Sequence, residues 1–211
     1  RASVGSSPTG GTPKEFYIVP QHLYLNSDIN GPWPADAEKV YFGMGCFWGA
    51  EKKLWPVPGV ISTAVGYMGG TVADPTYPLV CTGETGHAET VLVVYNPQEV
   101  NFYELLKVFW ENHDPTQGDR QGGDIGTQYR SAIFYTTAHQ RDLIEKSKAA
   151  YEQVLLAAGL PQITTQVTSA DGHTFWYAEE YHQQYLIKNP NGYDCHANTG
   201  YALPSQDVIE L

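Results

Sequence analysis

The chain has 211 residues, 42% of them hydrophobic and 13% aromatic, enough for one domain with a sizeable core. No apolar run approaches the roughly 20 residues of a membrane span, which excludes a helical membrane protein. Twelve Lys and Arg against 23 Asp and Glu give a formal charge of −11, which argues against a nucleic-acid or anionic-membrane partner. The acidity itself needs no explanation beyond solubility.

Three cysteines are present, Cys46, Cys81 and Cys195. Their odd number and wide spacing do not suit a disulfide scaffold. With the seven histidines they do not form the usual zinc-ligand spacing either.

Residues 1 to 38 are rich in Gly, Pro, Ser and Thr and read as an N-terminal extension, mobile over its first dozen residues. Without an initiator Met or an apolar signal core, it is expected to be a trimmed start. Phe16-Tyr17-Ile18-Val19 and Trp33 are the residues suited to dock on the body.

The compact part starts near Glu38. Val40-Tyr41-Phe42 reads as a buried strand, and Ala50 to Trp55 as a short helix stopped by Pro56. Between them lies Gly43-Met44-Gly45-Cys46-Phe47-Trp48-Gly49. Cys46 therefore falls where strand passes to helix, with Gly43 and Gly45 permitting a tight turn at positive φ. A thiol at a helix N-terminus faces unpaired amides and the positive end of the dipole. That field predicts a Cys46 pKa below the free value of about 8.5. Phe47 and Trp48 suggest an aromatic pocket beside an activated sulfur. The competing reading is a structural cysteine in a glycine turn.

Val60 to Tyr67 is strongly β-prone and is broken by Gly69-Gly70. Thr71 to Thr85 is a long irregular stretch containing Tyr77 and Cys81, and stretches of that length are functional or disordered. It leads into Gly86-His87-Ala88-Glu89 and a strand over Thr90 to Tyr95. A carboxyl at the mouth of so apolar a strand is half-buried with a raised pKa, or simply solvated.

Asn101 to Asn112 is an amphipathic helix, with Phe102, Leu105, Leu106, Phe109 and Trp110 as core, ended by His113-Asp114-Pro115. Gln117 to Arg130 is polar and glycine-rich but matches neither a Walker A loop nor a dinucleotide fingerprint. It is either a surface loop or a site loop contributing Asp124 and Tyr129. A strand over Ser131 to Tyr135, a Thr-capped helix over Thr137 to Ala158 and a strand over Ile163 to Val167 follow. Ala178 to Ile187 reads as helix carrying a structural His182. Asn189 to Gly200 is a turn-rich, mobile tail that leaves Cys195 accessible. The order of elements predicts an α/β two-layer sandwich of ferredoxin-like β-α-β-β-α-β type with extensive coil.

Four stretches together resemble class A peptide methionine sulfoxide reductases: Gly45-Cys46-Phe47-Trp48-Gly49, Gly86-His87-Ala88-Glu89, His113-Asp114-Pro115-Thr116, and Gly126-Thr127-Gln128-Tyr129-Arg130-Ser131. His182-Gln183-Gln184-Tyr185-Leu186 and Asn189-Pro190-Asn191-Gly192-Tyr193 extend the likeness, which spans residues 39 to 203. The resemblance implies a catalytic domain over 39–203, with a resolving-cysteine tail at about 188–203 and a C-terminal end over 204–211. It implies Cys46 as nucleophile, Glu89 as acid, and Tyr77 and Tyr129 as donors to the substrate oxygen. Asp124 would hold the loop and its water, and Phe47 and Trp48 the substrate methyl group. Cys195 would resolve a Cys46 sulfenic acid as a disulfide, recycled by thioredoxin. The substrate would be the S epimer of methionine sulfoxide, free or in proteins. No metal or organic cofactor is implied, and the protein is expected to be a soluble monomer, cytoplasmic or organellar. Many family members carry two tail cysteines, whereas only Cys195 follows the nucleophile here, separated from Tyr193 by Asp194. Two other readings compete: a Cys-His acyl hydrolase using His87 or His182 as base, and a non-catalytic Met-peptide binder.

Overall fold

A computed structural model describes residues 21–195 and 197–210. In chain order the elements are β1 (Glu38–Met44), α1 (Phe47–Leu54), β2 (Val60–Met68), α2 (Tyr77–Cys81), β3 (Ala88–Tyr95) and α3 (Phe102–Glu111). A small hairpin of β4 (Arg120–Gln121) and β5 (Asp124–Ile125) follows, then β6 (Ser131–Tyr135), α4 (Ala138–Ala157), β7 (Gln166–Ser169) and β8 (Trp176–Tyr177). Two short helices, α5 (Tyr185–Lys188) and α6 (Gln206–Ile209), close the chain.

The main sheet runs β7-β6-β1-β3-β2-β8. Its inner four strands, β6-β1-β3-β2, are mutually antiparallel neighbours, with β3 inserted between β1 and β2. That is the ferredoxin-like α/β arrangement expected from the order of elements. Two additions widen it. β7 returns parallel to β6 through α4, and β8 pairs antiparallel with the free edge of β2.

Period-two alternation separates the two faces. Val40, Phe42, Val91, Val93, Tyr95 and Ile133 point to the helical layer, where Leu105, Leu106, Phe109 and Trp110 fill the centre. Leu92, Val94 and Ala64 point the other way, against Ile29, Trp33, Phe175 and Tyr177. β3 lies centrally and all eight of its residues are buried. Trp33 docks as the sequence suggests, and its indole N–H donates to Asp28 O at 2.8 Å. The first dozen residues and Phe16–Val19 lie outside the described residues. Among the described residues no helix is long and apolar enough to cross a membrane.

Three segments differ from the sequence reading. Thr71 to Thr85 is not wholly irregular. Thr76 caps α2 by accepting the Leu79 amide at 3.3 Å, and Pro78 occupies the first turn, where it loses no hydrogen bond. The strand expected at Ile163 starts only at Gln166, because Ile163 and Thr164 donate their amides to Glu152 Oε2 and Pro115 O instead. Ala178 to Ile187 is not one helix. Gln183 bridges Val65 N, Val65 O and Ala178 O through its side chain, and Gln184 sits at φ +47. A left-handed residue ends any right-handed helix.

Candidate active site

Cys46 caps the N-terminus of α1 at the end of β1 and is 7% exposed. The turn depends on Gly45, at φ +86, where a Cβ would come within 2.6 Å of Gln121 Cγ. Gly43, expected at positive φ, is not; it is needed for closeness, since a Cβ there would meet Arg130 O at 3.1 Å across the β1–β6 pair. A Gly45→Ala variant is expected to lose roughly 2–3 kcal/mol of stability from the combined backbone and steric cost, measured by urea unfolding.

Glu89 enters from β3, opposite Tyr67 of β2. It is 2% exposed, and its Oε1 accepts the Phe47 amide at 3.1 Å. The carboxyl thus holds the amide of the residue that follows Cys46. Burial pushes its pKa up to about 8, the Phe47 amide opposes that, and Asp124 adds to it. The shift favours the protonated carboxyl.

The two phenols approach from separate loops. Tyr77 opens α2, and its amide donates to Glu179 Oε2 at 3.0 Å while Tyr67 donates its hydroxyl to Glu179 Oε1 at 3.1 Å. Tyr129 ends a single 3₁₀ turn, Thr127–Tyr129, after Gly126. Both phenol pKa values are raised, by burial first. For Tyr77 the next causes are the hydrogen-bonded Cys81 thiol and the charge on Glu89. For Tyr129 they are Glu89, Cys81, Asp124 and Cys46. Both therefore keep their protons and are able to donate. Asp124, on β5, accepts the Tyr193 hydroxyl at 3.0 Å.

The aromatic wall is built around His182. Phe47 is fully buried, with ring centroids 5.7 Å from Tyr67 and 5.2 Å from His182. The half-buried Trp48 stacks on Tyr185 at 3.8 Å and donates its indole N–H to His182 Nδ1 at 2.9 Å. Tyr77 lies 4.4 Å from the same imidazole. The structure thus gathers Cys46, Phe47, Trp48, Tyr77, Glu89, Asp124 and Tyr129, drawn from five separate segments, around one N-terminal turn.

Comparison with known proteins then decides the family. The family model for "Peptide methionine sulfoxide reductase" matches residues 38–207. The chain belongs to the peptide methionine sulfoxide reductase family. The reductase MsrA of Pseudomonas aeruginosa is 56% identical over 188 residues, covering 89% of this chain and 86% of its own. MsrA of Brucella melitensis biotype 1 is also 56% identical, over 183 residues, 87% of this chain and 83% of its own. Among solved structures, methionine sulfoxide reductase A of Corynebacterium diphtheriae superposes with a TM-score of 0.74 at 41% identity, covering 92% of this chain and 100% of that one. Reduced Mxr1 of Saccharomyces cerevisiae gives 0.70 at 34%, covering 82% and 96%.

Two expectations for this reductase need correction. The helix N-terminus does not bring the Cys46 pKa below its free value. Burial and then Glu89 push it well up, against the amides of Trp48 and Gly49, with Asp124 adding to the rise. The dipole acts with the expected sign, but desolvation of the thiolate is larger. The resting sulfur is a thiol. Nor is the Cys195 tail a free strand of coil. Tyr193 is tied to Asp124, Asp194 Oδ2 pairs with Lys52 Nζ at 2.9 Å, and Cys195 is half-buried.

Sequence reasoning also missed the residues that hold the reductase site in shape. His182, which the sequence offers as a structural residue or a hydrolase base, is instead the hub of the aromatic wall. Nothing in the sequence singles out Glu179 or Glu51. Glu51 is fully buried on α1, where it accepts from Thr63 Oγ1 at 2.7 Å and from the Gln184 backbone and side-chain amides at 2.8 and 2.9 Å. His22 completes that cluster through Thr63 at 2.7 Å. The helix that follows Cys46 is thereby fixed to the segment that carries His182 and Tyr185.

Proposed function

We propose that the protein reduces the S epimer of methionine sulfoxide, free or in proteins, through a Cys46 sulfenic acid and a Cys46–Cys195 disulfide recycled by thioredoxin. The observation that carries this reading is the buried Glu89 carboxyl bound to the amide of the residue that follows Cys46, with its pKa pushed up by burial to about 8. A sulfoxide sulfur is a weak electrophile until its oxygen receives a proton. Glu89 supplies one, while the Tyr77 and Tyr129 hydroxyls donate to the oxygen as charge builds on it. The carboxylate so formed takes the thiol proton of Cys46, and the sulfur attacks the substrate sulfur. Oxygen passes to Cys46, methionine leaves, and Glu89 is again an acid. The net change is one thiol and one sulfoxide to one sulfenic acid and one sulfide. Cys195 then attacks the Cys46 sulfenic acid, a water leaves, and a disulfide forms. A dithiol reductant opens it by exchange.

Stereochemistry follows from the same placement. With the substrate methyl against Phe47 and Trp48 and its oxygen toward Glu89 and the phenols, only one configuration at sulfur leaves the remaining face open to Cys46. The hydrolase alternative is disfavoured by the histidines. His87 Nδ1 accepts the Gly70 amide at 3.0 Å and Nε2 donates to Val72 O at 2.7 Å, so the ring braces a loop. His182 accepts from Trp48.

The test uses each epimer separately, with stoichiometry. A Cys195→Ser enzyme is expected to release about one methionine per molecule from the S epimer and then stall with thioredoxin. Methionine release from the R epimer at comparable rate, or thioredoxin-driven cycling without Cys195, contradicts the reading.

A further inference from the structure

Asp194 stands between Tyr193 and Cys195 and is held to the helix that follows Cys46. Its Oδ2 lies 2.9 Å from Lys52 Nζ, and its side chain is only 12% exposed although Lys52 is 47% exposed. A Cβ built on Gly49 would come within 2.7 Å of Asp194 Oδ1 and 3.5 Å of the Cys195 backbone nitrogen and oxygen. The tail therefore lies directly on the first turn of α1, and it lies there because position 49 has no side chain. Cys46, Gly49 and Lys53 are spaced three and four residues apart, so they share one face of that helix. Cys195 lines a small cleft on that face with Lys53, Asn112 and Asn198. A second tether acts one residue further back, where Tyr193 donates to Asp124 at 3.0 Å. On the hairpin side, a Cβ at Gly122 would sit 3.6 Å from Cys195 Sγ.

We propose that Lys52 and Asp194 are positioning residues that hold Cys195 against the nucleophile's helix and thereby set the rate of disulfide formation, without a part in sulfoxide reduction. This rests on the reading of Cys195 as the resolving thiol. The step concerned is Cys46–SOH plus Cys195–SH giving the Cys46–Cys195 bond and water. Cys195 is oxidised, the Cys46 sulfur is reduced from sulfenic acid, and the thiol proton leaves with the hydroxyl. A tethered thiol attacks at an effective concentration set by how narrowly its chain is confined. Releasing one of two tethers lowers that concentration and leaves the earlier chemistry alone.

The test is rapid-quench mass spectrometry on the full chain, reading methionine released in the first turnover, sulfenic acid trapped by dimedone, and disulfide. Asp194→Asn is expected to slow disulfide formation about two- to five-fold, the range for a partly exposed ion pair, with longer-lived sulfenic acid and an unchanged methionine burst. Asp194→Lys, which sets like charges together, is expected to slow it more. Lys52→Glu combined with Asp194→Lys restores the pair and most of the rate. Added salt should slow wild-type disulfide formation and leave Asp194→Asn unmoved. Wild-type disulfide rates in both single variants, or a methionine burst that falls in parallel, overturn the assignment of Lys52 and Asp194 alone. Normal cycling by a Cys195→Ser control overturns the resolving role and this assignment together.

Discussion

Replacing Cys46 with serine is expected to end methionine formation altogether, with at least a ~10⁴-fold loss in first-turnover rate. A serine hydroxyl at this site is a far weaker nucleophile than a sulfur whose proton Glu89 can take. It also cannot become a sulfenic acid. The loss will not come from unfolding. Cys46 occupies the N-cap of α1, and serine is among the preferred residues at that position. The variant should therefore melt at or above the wild-type temperature while releasing no methionine in a single-turnover assay. Residual release at a tenth of the wild-type rate would move the nucleophile elsewhere.

Glu89→Gln is expected to show the opposite sign in stability and activity. Without an acid for the sulfoxide oxygen, the first-turnover rate should fall roughly 10²–10⁴-fold, the usual range for one general acid. Stability should rise. The folded chain holds the Glu89 proton to about pH 8, whereas an unfolded chain loses it near 4.5. Between those values the unfolded state binds fewer protons, so stability falls as pH rises through that window. Glutamine carries no such penalty, and Glu89→Gln should be more stable than wild type by on the order of 2–4 kcal/mol at pH 8, with the gap closing toward pH 4. Paired urea titrations at the two pH values measure it. The wild-type first-turnover rate should decline above about pH 8, as Glu89 ionises.

Much of the fold was legible because its elements obey local rules. Thr137 caps α4 through its side chain, as the sequence predicts, and the apolar positions of α3 form one buried stripe. The order of strands and helices was enough for the ferredoxin-like sheet. What local rules could not reach was set by tertiary partners. Gln183 and Gln184 look like helix formers, yet their side chains are used by Val65 and Glu51. Ile163 and Thr164 look like strand, yet their amides go elsewhere. The tail looks mobile, and its anchors Lys52 and Asp124 lie 142 and 69 residues away in sequence.

The candidate site divides in the same way. Cys46, Glu89, Tyr77, Tyr129 and Asp124 were named from motifs, but the sign of the Cys46 shift was not readable from the motif. A helix dipole is a local property, whereas burial of the thiol and the nearby carboxyls of Glu89 and Asp124 are not. A lone His182 on an apparent helix reads as structural. Only the fold reveals that it ties Trp48 to the wall that Phe47 and Tyr77 share.

Proton ownership at the resting centre is the claim on which the chemistry turns, and infrared difference titration with labelled glutamate reads it directly. The carboxylic acid band assigned to Glu89, identified by its absence in Glu89→Gln, is predicted to persist through pH 7 and to give way to carboxylate near pH 8. A Glu89 carboxylate already formed at pH 6 would contradict the account, because no proton would then be at hand for the sulfoxide oxygen.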